Sequence, residues 1–235
     1  MSGARIAMGF LLYPRMTQLD LTGPHEVLSR LPTADMHLIA KSMDLVFGES
    51  GLGIMPTATL ETAAPLDVIC VPGGRGVDAM LSDDSVLSFL VAQSKNARFV
   101  TAVCTGALLL GSAGLLSGYK ATTHWMSIDL LGCFGATPVR ERVVVDRSRV
   151  TSAGVTAGIE LGFALARELA GDDVARELEL VLEYDPVPLF AGGSPRTARR
   201  DIVERVSASR AESQAARRRL VEAAAARQRA SGRTI

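Results

Sequence analysis

Residues 99–110, FVTAVCTGALLL, decide how the chain folds. The first five are apolar or β-branched, the pattern of a strand buried on both faces. From Gly106 onward the run is Ala and Leu, strong helix formers. Cys104 and Thr105 leave no length for a loop. A strand over 98–103 therefore turns tightly into a helix over 106–116, with a thiol at the corner. The same unit recurs outward. Residues 67–71 read as a core strand that PGGRG (72–76) stops abruptly. Residues 5–13, RIAMGFLLY, form a buried strand ended by Pro14. A helix over 20–31 follows, with Asp20 or Thr22 as N-cap and Pro24 in its first turn. Residues 36–40 are a further strand, 51–60 a strand or hairpin, and 84–94 a helix. Downstream, 143–146 and 150–152 pair as a hairpin. Helices over 156–170 and 172–182 are divided by Gly171. Alternating strands and helices predict an α/β sandwich with a mostly parallel sheet. Ligand sites in such sheets lie outside the carboxyl ends of the strands. Three breaks fall there: 14–20, 72–76 and 104–106.

Composition narrows the function classes. The 235 residues are 48% apolar and only 5% aromatic, enough to bury a core and too apolar for disorder to dominate. Lys and Arg total 25 against 25 Asp and Glu, so no long-range positive field recruits a polyanion. Three cysteines exclude a disulfide scaffold and fit a reducing cytosol. No apolar run reaches the roughly 20 residues of a membrane span. The N-terminal stretch reads as a strand rather than a secretory leader. The expectation is a cytoplasmic protein with no membrane partner.

Charge is uneven along the chain. Residues 195–235 hold eleven Arg and four acids, and the rest is net acidic by the same margin. Residues 196–229 contain no Pro or Gly and predict one long, weakly amphipathic helix, or two. The organisation expected is a domain over 1–195 and a basic helical extension over 196–235. Ile202, Val203, Val206, Leu220 and Val221 are the predicted anchors of that extension on the body or on a partner subunit. Its acids interrupt any continuous basic face, so no nucleic-acid partner is expected.

Cys104 is the leading chemical candidate. A tight turn presents its sulfur above the sheet, near a helix N-terminus whose dipole favours thiolate. Cys70, inside a strand, and Cys133, in a hydrophobic connection, read as structural. In PGGRG the glycines allow close backbone approach, and the N–H groups of Gly74 and Arg75 are candidate oxyanion donors. Asp20 is a common cap residue, yet its leucine neighbours would desolvate it, raise its pKa and let it carry a proton. Thr105 either donates to an intermediate or caps the helix. His25, His37 and His124 show no metal-ligand spacing, and no CxxC exists, so no metal is expected. No nucleotide-binding glycine motif occurs.

These segments resemble the DJ-1/PfpI superfamily, and within it the isocyanide-hydrating branch. The resemblance rests on GFLLYP (9–14), QLDLTGPHEVL (18–28), PLDVICVPGG (65–74), VTAVCTGALLL (100–110), KATTHW (120–125), ERVVVD (141–146), GVTAGIELG (154–162) and LEYDPVPLFAGGSP (182–195). It implies a flavodoxin-like three-layer sandwich and a homodimer. It also implies hydration of an isocyanide to an N-substituted formamide without metal or organic cofactor. The route runs through a Cys104 thioimidate, with Asp20 as general acid and base, Thr105 beside the nucleophile and Gly74 as backbone donor. Thr105 stands where many PfpI-like proteases carry His, which argues against proteolysis. A regulatory sensor, or a stress protein whose Cys104 is oxidised rather than catalytic, stays open at this point.

Overall fold

The computed structural model describes residues 5–230. Residues 1–4 and 231–235, the ends of the predicted N-terminal stretch and basic extension, lie outside the described residues. In chain order the elements begin with β1 (Ile6–Leu11), α1 (Gln18–Leu28) and β2 (Ala34–Ala40). A small hairpin of β3 (Val46–Phe47) and β4 (Gly53–Ile54) follows, then β5 (Ala58–Thr59), β6 (Val68–Val71), α2 (Val77–Met80) and α3 (Asp84–Ser94). The predicted corner comes next, as β7 (Phe99–Val103) and α4 (Gly106–Ser112). After β8 (Lys120–Ala121) a 3-10 helix covers Trp125–Phe134, which pattern reading missed. The chain finishes with β9 (Thr137–Pro138), β10 (Val143–Asp146), β11 (Arg149–Ser152), α5 (Ala157–Ala170), α6 (Asp172–Val181) and α7 (Arg200–Ala230).

The central sheet runs β10-β11-β7-β6-β1-β2-β5 and is parallel except for the β10–β11 hairpin. Helices flank it, so β1, β6 and β7 are buried on both faces, as their unbroken apolar runs require. The chain lays β2 and β5 on one side of β1, then crosses to β6 and β7 on the other. The connections leaving β1 and β6 therefore diverge, and a crevice opens at their carboxyl ends. All three predicted breaks meet at that end of the sheet.

Three expectations need correction. The first helix starts at Gln18, so Asp20 lies in its first turn and caps nothing. Thr17 holds the N-cap position, but its hydroxyl donates to Glu49 Oε1 at 2.9 Å. Next, the helix predicted over 106–116 ends at Ser112, with Gly114 at φ +82° just beyond. Finally, the extension is a single helix of 31 residues, one of the two forms expected, but of its predicted anchors only Val221 is buried. Ile202, Val206 and Leu220 are exposed. The buried stripe is Arg217, Val221, Ala224, Ala225 and Gln228, whose small members let α7 lie close against α4 and the 3-10 helix. Among the described residues no helix is long and apolar enough to cross a membrane.

The packing of α1 on α5 sets where Asp20 sits. Gly162 of α5 faces Val27 of α1 so closely that an added Cβ would stand 2.8 Å from Val27 Cβ. Gly162→Ala should gain about 1 kcal/mol in helix propensity and lose more to overpacking, about 1–3 kcal/mol. A lower urea midpoint in the single variant is the expected result. An unchanged or raised midpoint in the single variant would refute this contact.

Candidate active site

Cys104 occupies the corner between β7 and α4 at φ +55°, a left-handed conformation that costs a non-glycine residue about 1–2 kcal/mol. Surrounding hydrogen bonds hold it there. Its N–H donates to the carbonyls of Ser152 (3.1 Å) and Ala153 (2.9 Å), and its own carbonyl accepts the Thr123 hydroxyl at 2.6 Å. Gly106 makes the sharp return possible, because a Cβ there would stand 2.2 Å from the Val71 carbonyl oxygen. At this strained corner Cys104 remains only 5% exposed.

Asp20 reaches the same place from α1 and is fully buried. Its Oδ2 accepts the Gly73 N–H at 2.8 Å, while Oδ1 makes no hydrogen bond of ordinary geometry. Burial pushes its carboxyl up to about 7, partly offset by the Gly73 N–H and the Cys104 thiol, with Glu49 adding to the rise. The sequence-level expectation of a desolvated, proton-holding carboxyl therefore stands on geometry. The expected thiolate does not. Burial and the neighbouring Asp20 charge push the Cys104 thiol well above its ordinary value. The Thr105 N–H and Arg217 pull in the other direction without reversing it. A seven-residue helix start does not outweigh the removal of sulfur from water.

The glycine turn acts differently from expectation. Gly74, at φ +112°, donates its N–H to Thr105 Oγ1 at 3.0 Å, and Thr105 Oγ1 lies 3.3 Å from the Gly74 carbonyl. Its N–H is thus committed to latching the turn onto the Cys104 corner rather than held for an oxyanion. Arg75 is exposed at the tip of the turn. The glycine that contacts the Asp20 carboxyl is Gly73. A Cβ at Gly73 would meet Thr105 N at 2.5 Å and Asp20 Oδ2 at 2.8 Å.

Other residues enter that pattern reading did not single out. The Tyr13 hydroxyl lies 2.5 Å from the Pro72 carbonyl oxygen and 3.1 Å from that of Gly73, pinning the turn from below. Thr123 holds the corner as described. Only the placement of Tyr13 at the end of β1 hinted at its role. A cavity of about 250 Å³ opens between Thr122, Thr123, His124 and Trp125 on one wall and Ala153, Gly154 and Val155 on the other, behind the Cys104 backbone. His124 Nδ1 accepts the Met126 N–H; burial lowers the pKa of its ring, and that of His25 likewise. Cys70 is buried and its thiol pushed up to about 12, whereas Cys133 is half-buried on the 3-10 helix. Among the described residues no group of three or more His, Cys, Asp or Glu could hold a metal ion.

The raised carboxyl makes a stability prediction. Folded Asp20 keeps its proton to about pH 7, whereas unfolded it loses it near pH 4. The folded state binds the extra proton in that window, so stability falls as pH rises through it and levels off above. Relative to Asp20→Asn, the wild type should lose roughly 2–3 kcal/mol between pH 5 and pH 8. Urea denaturation of both proteins at the two pH values measures this, and a pH-independent difference would rule it out.

Comparison with known proteins agrees with this architecture. The DJ-1/PfpI family model matches residues 6–168. The isonitrile hydratase of Pseudomonas putida is 48% identical over 222 residues, covering 94% of this chain and 97% of that protein. The crystal structure of a THiJ/PfpI family protein from Pseudomonas syringae is similar with a TM-score of 0.89 at 41% identity, over 94% of this chain and 91% of the other. The HTH-type transcriptional regulator GbdR of Pseudomonas aeruginosa is 29% identical over 189 residues, 77% of this chain but 51% of the regulator. The family match runs from β1 into α5 and takes in every residue of the Asp20, Gly73 and Cys104 arrangement: this chain belongs to the DJ-1/PfpI family.

Proposed function

We propose that this protein is an isocyanide hydratase that converts R–N≡C and water into an N-substituted formamide, with Cys104 as nucleophile and Asp20 as proton carrier. The observation that carries the reading is the near full-length likeness to an isonitrile hydratase. The buried thiol beside a carboxyl that titrates near neutrality supplies a chemistry to match.

The reactive pair holds one proton. With Cys104 protonated at rest, that proton passes from sulfur to Asp20 as sulfur bonds to the terminal carbon of the isocyanide. Asp20 then gives it to the same carbon. The product is a thioimidate, Cys104–S–CH=N–R. Asp20, again a carboxylate, takes a proton from water as the water oxygen adds to that carbon and passes it to the nitrogen. The tetrahedral adduct expels sulfur, the hydroxyl proton returns to the thiol, and R–NH–CHO leaves. Thr105 keeps the glycine turn and the Cys104 corner in register throughout. The site excludes bulk water, which suits a small, linear and weakly polar substrate.

A redox sensor needs an exposed thiol of low pKa. Cys104 is buried and raised, so the geometry favours catalysis over sensing. Three unpaired cysteines suit a reducing cytoplasm. The exposed apolar side chains Leu180, Val187, Leu189 and Phe190 support a homodimer.

Formamide production from cyclohexyl and aryl isocyanides tests the reading. Cys104→Ala should abolish turnover, and Asp20→Asn should fold and lose about 10²-fold or more. The wild-type rate should rise with pH to a plateau above about pH 7, because below that value Asp20 is protonated and cannot accept the thiol proton. This limb should vanish in Asp20→Asn. Near-normal turnover by Cys104→Ala would end the proposal.

A further inference from the structure

The basic helix α7 carries one arginine that solvent does not reach. Arg217 has a side chain 9% exposed, while neighbouring Arg218 is open to water. Its Nε donates to Asp78 Oδ1 at 2.6 Å, and its Nη2 to Oδ2 at 3.3 Å. Asp78 belongs to α2, two residues past the glycine turn whose N–H groups hold Asp20 and Thr105. Around this pair, α7 packs on α4, the helix that leaves Cys104, and on the 3-10 helix that follows His124. Gln214 Oε1 accepts the Ser127 hydroxyl at 3.3 Å one turn away. A buried ion pair is weak support for stability, since apolar residues of similar volume pack at least as well. Its cost therefore calls for a role other than stability.

Resting on the reading of Cys104 as nucleophile, we propose that Arg217 is a positioning residue of the Cys104 site: fixed by Asp78, it clamps the glycine turn against α4 and supplies a positive charge that favours the Cys104 anion. Its charge favours the ionised forms of both Cys104 and Tyr13 and disfavours protonation of His124, which places it electrostatically among all three. The other groups around Cys104 do not substitute for it. Asp20 from α1 is anionic when charged, and Tyr13 is pushed well above its ordinary value by burial. Helix α4 carries no titratable side chain. Strand β6 offers only buried Cys70, and Arg149 of β11 donates to the Leu115 carbonyl beside Tyr119. On the 3-10 helix, Asp129 pairs with Arg140. On α7 itself, Arg210 bears on His124.

The test reads the thiol rather than turnover, so it stands apart from the substrate assignment. Iodoacetamide alkylation of the Cys104 peptide is followed by mass spectrometry across pH in the full chain, for wild type, Arg217→Met, Arg217→Lys and Asp78→Asn. Arg217→Met should slow alkylation at pH 8 by about threefold or more, and Arg217→Lys should recover most of the rate. Asp78→Asn leaves the cation uncompensated and should speed alkylation. The two partners are thus expected to act with opposite sign. In formamide production Arg217→Met should lower kcat at least tenfold with KM changed less than about threefold. A structural role alone would loosen the site, lower the melting temperature and move both single variants the same way. Alkylation that is unchanged, or faster in both Arg217→Met and Asp78→Asn, overturns the proposal. If Arg217→Met does not fold, the signs for Arg217→Lys and Asp78→Asn decide: slower alkylation in Asp78→Asn than in wild type overturns it.

Discussion

The hydrogen bond from the Gly73 N–H to the Asp20 carboxyl, 2.8 Å long and fully buried, ties three parts of the chain into one site. It joins the first turn of α1 to the loop after β6, and that loop is latched by Thr105 to the corner after β7. Were Asp20 a conventional helix cap, its carboxyl would point back at its own backbone and would not reach the turn after β6. The corner itself is strained, and the strain is held by the carbonyls of Ser152 and Ala153 and by the Thr123 hydroxyl. Site geometry is thus a property of the sheet order, which brings β1, β6, β7 and β11 side by side.

Burial acts on both reacting groups in the same direction. It raises the carboxyl to about 7 and carries the thiol far above its free value. A pair tuned this way does not rest as thiolate. In the proposed hydration it shares a single proton, with the carboxylate as the first acceptor and the carbon of the substrate as the eventual one. This trades resting nucleophilicity for an internal proton source, which hydration at carbon requires. It also protects the thiol from indiscriminate oxidation.

The C-terminal helix extends this electrostatic arrangement. Its first half stands exposed, and its second half lies on α4 and the 3-10 helix through a stripe of small residues. One polar member of that stripe, Arg217, meets the acid that follows the glycine turn. The basic composition of the segment therefore resolves into a solvated face and one buried cation.

Much of the architecture was legible in the residues. Unbroken apolar runs marked β1, β6 and β7 because strands buried on both faces need no alternation. The FVTAVCTGALLL corner placed Cys104 correctly because too few residues separate strand from helix for any other path. Asp20 could be singled out as a desolvated carboxyl from its leucine neighbours. What the order of residues could not express was partnership across the fold. Gly73 rather than Gly74 meets Asp20, Thr17 gives its hydroxyl to Glu49, and Arg217 finds Asp78 across 139 positions of chain. The thiol's ionisation was misjudged for the same reason. A helix start is local and visible in sequence, whereas desolvation depends on every element packed around the sulfur and is decided only when the chain has folded.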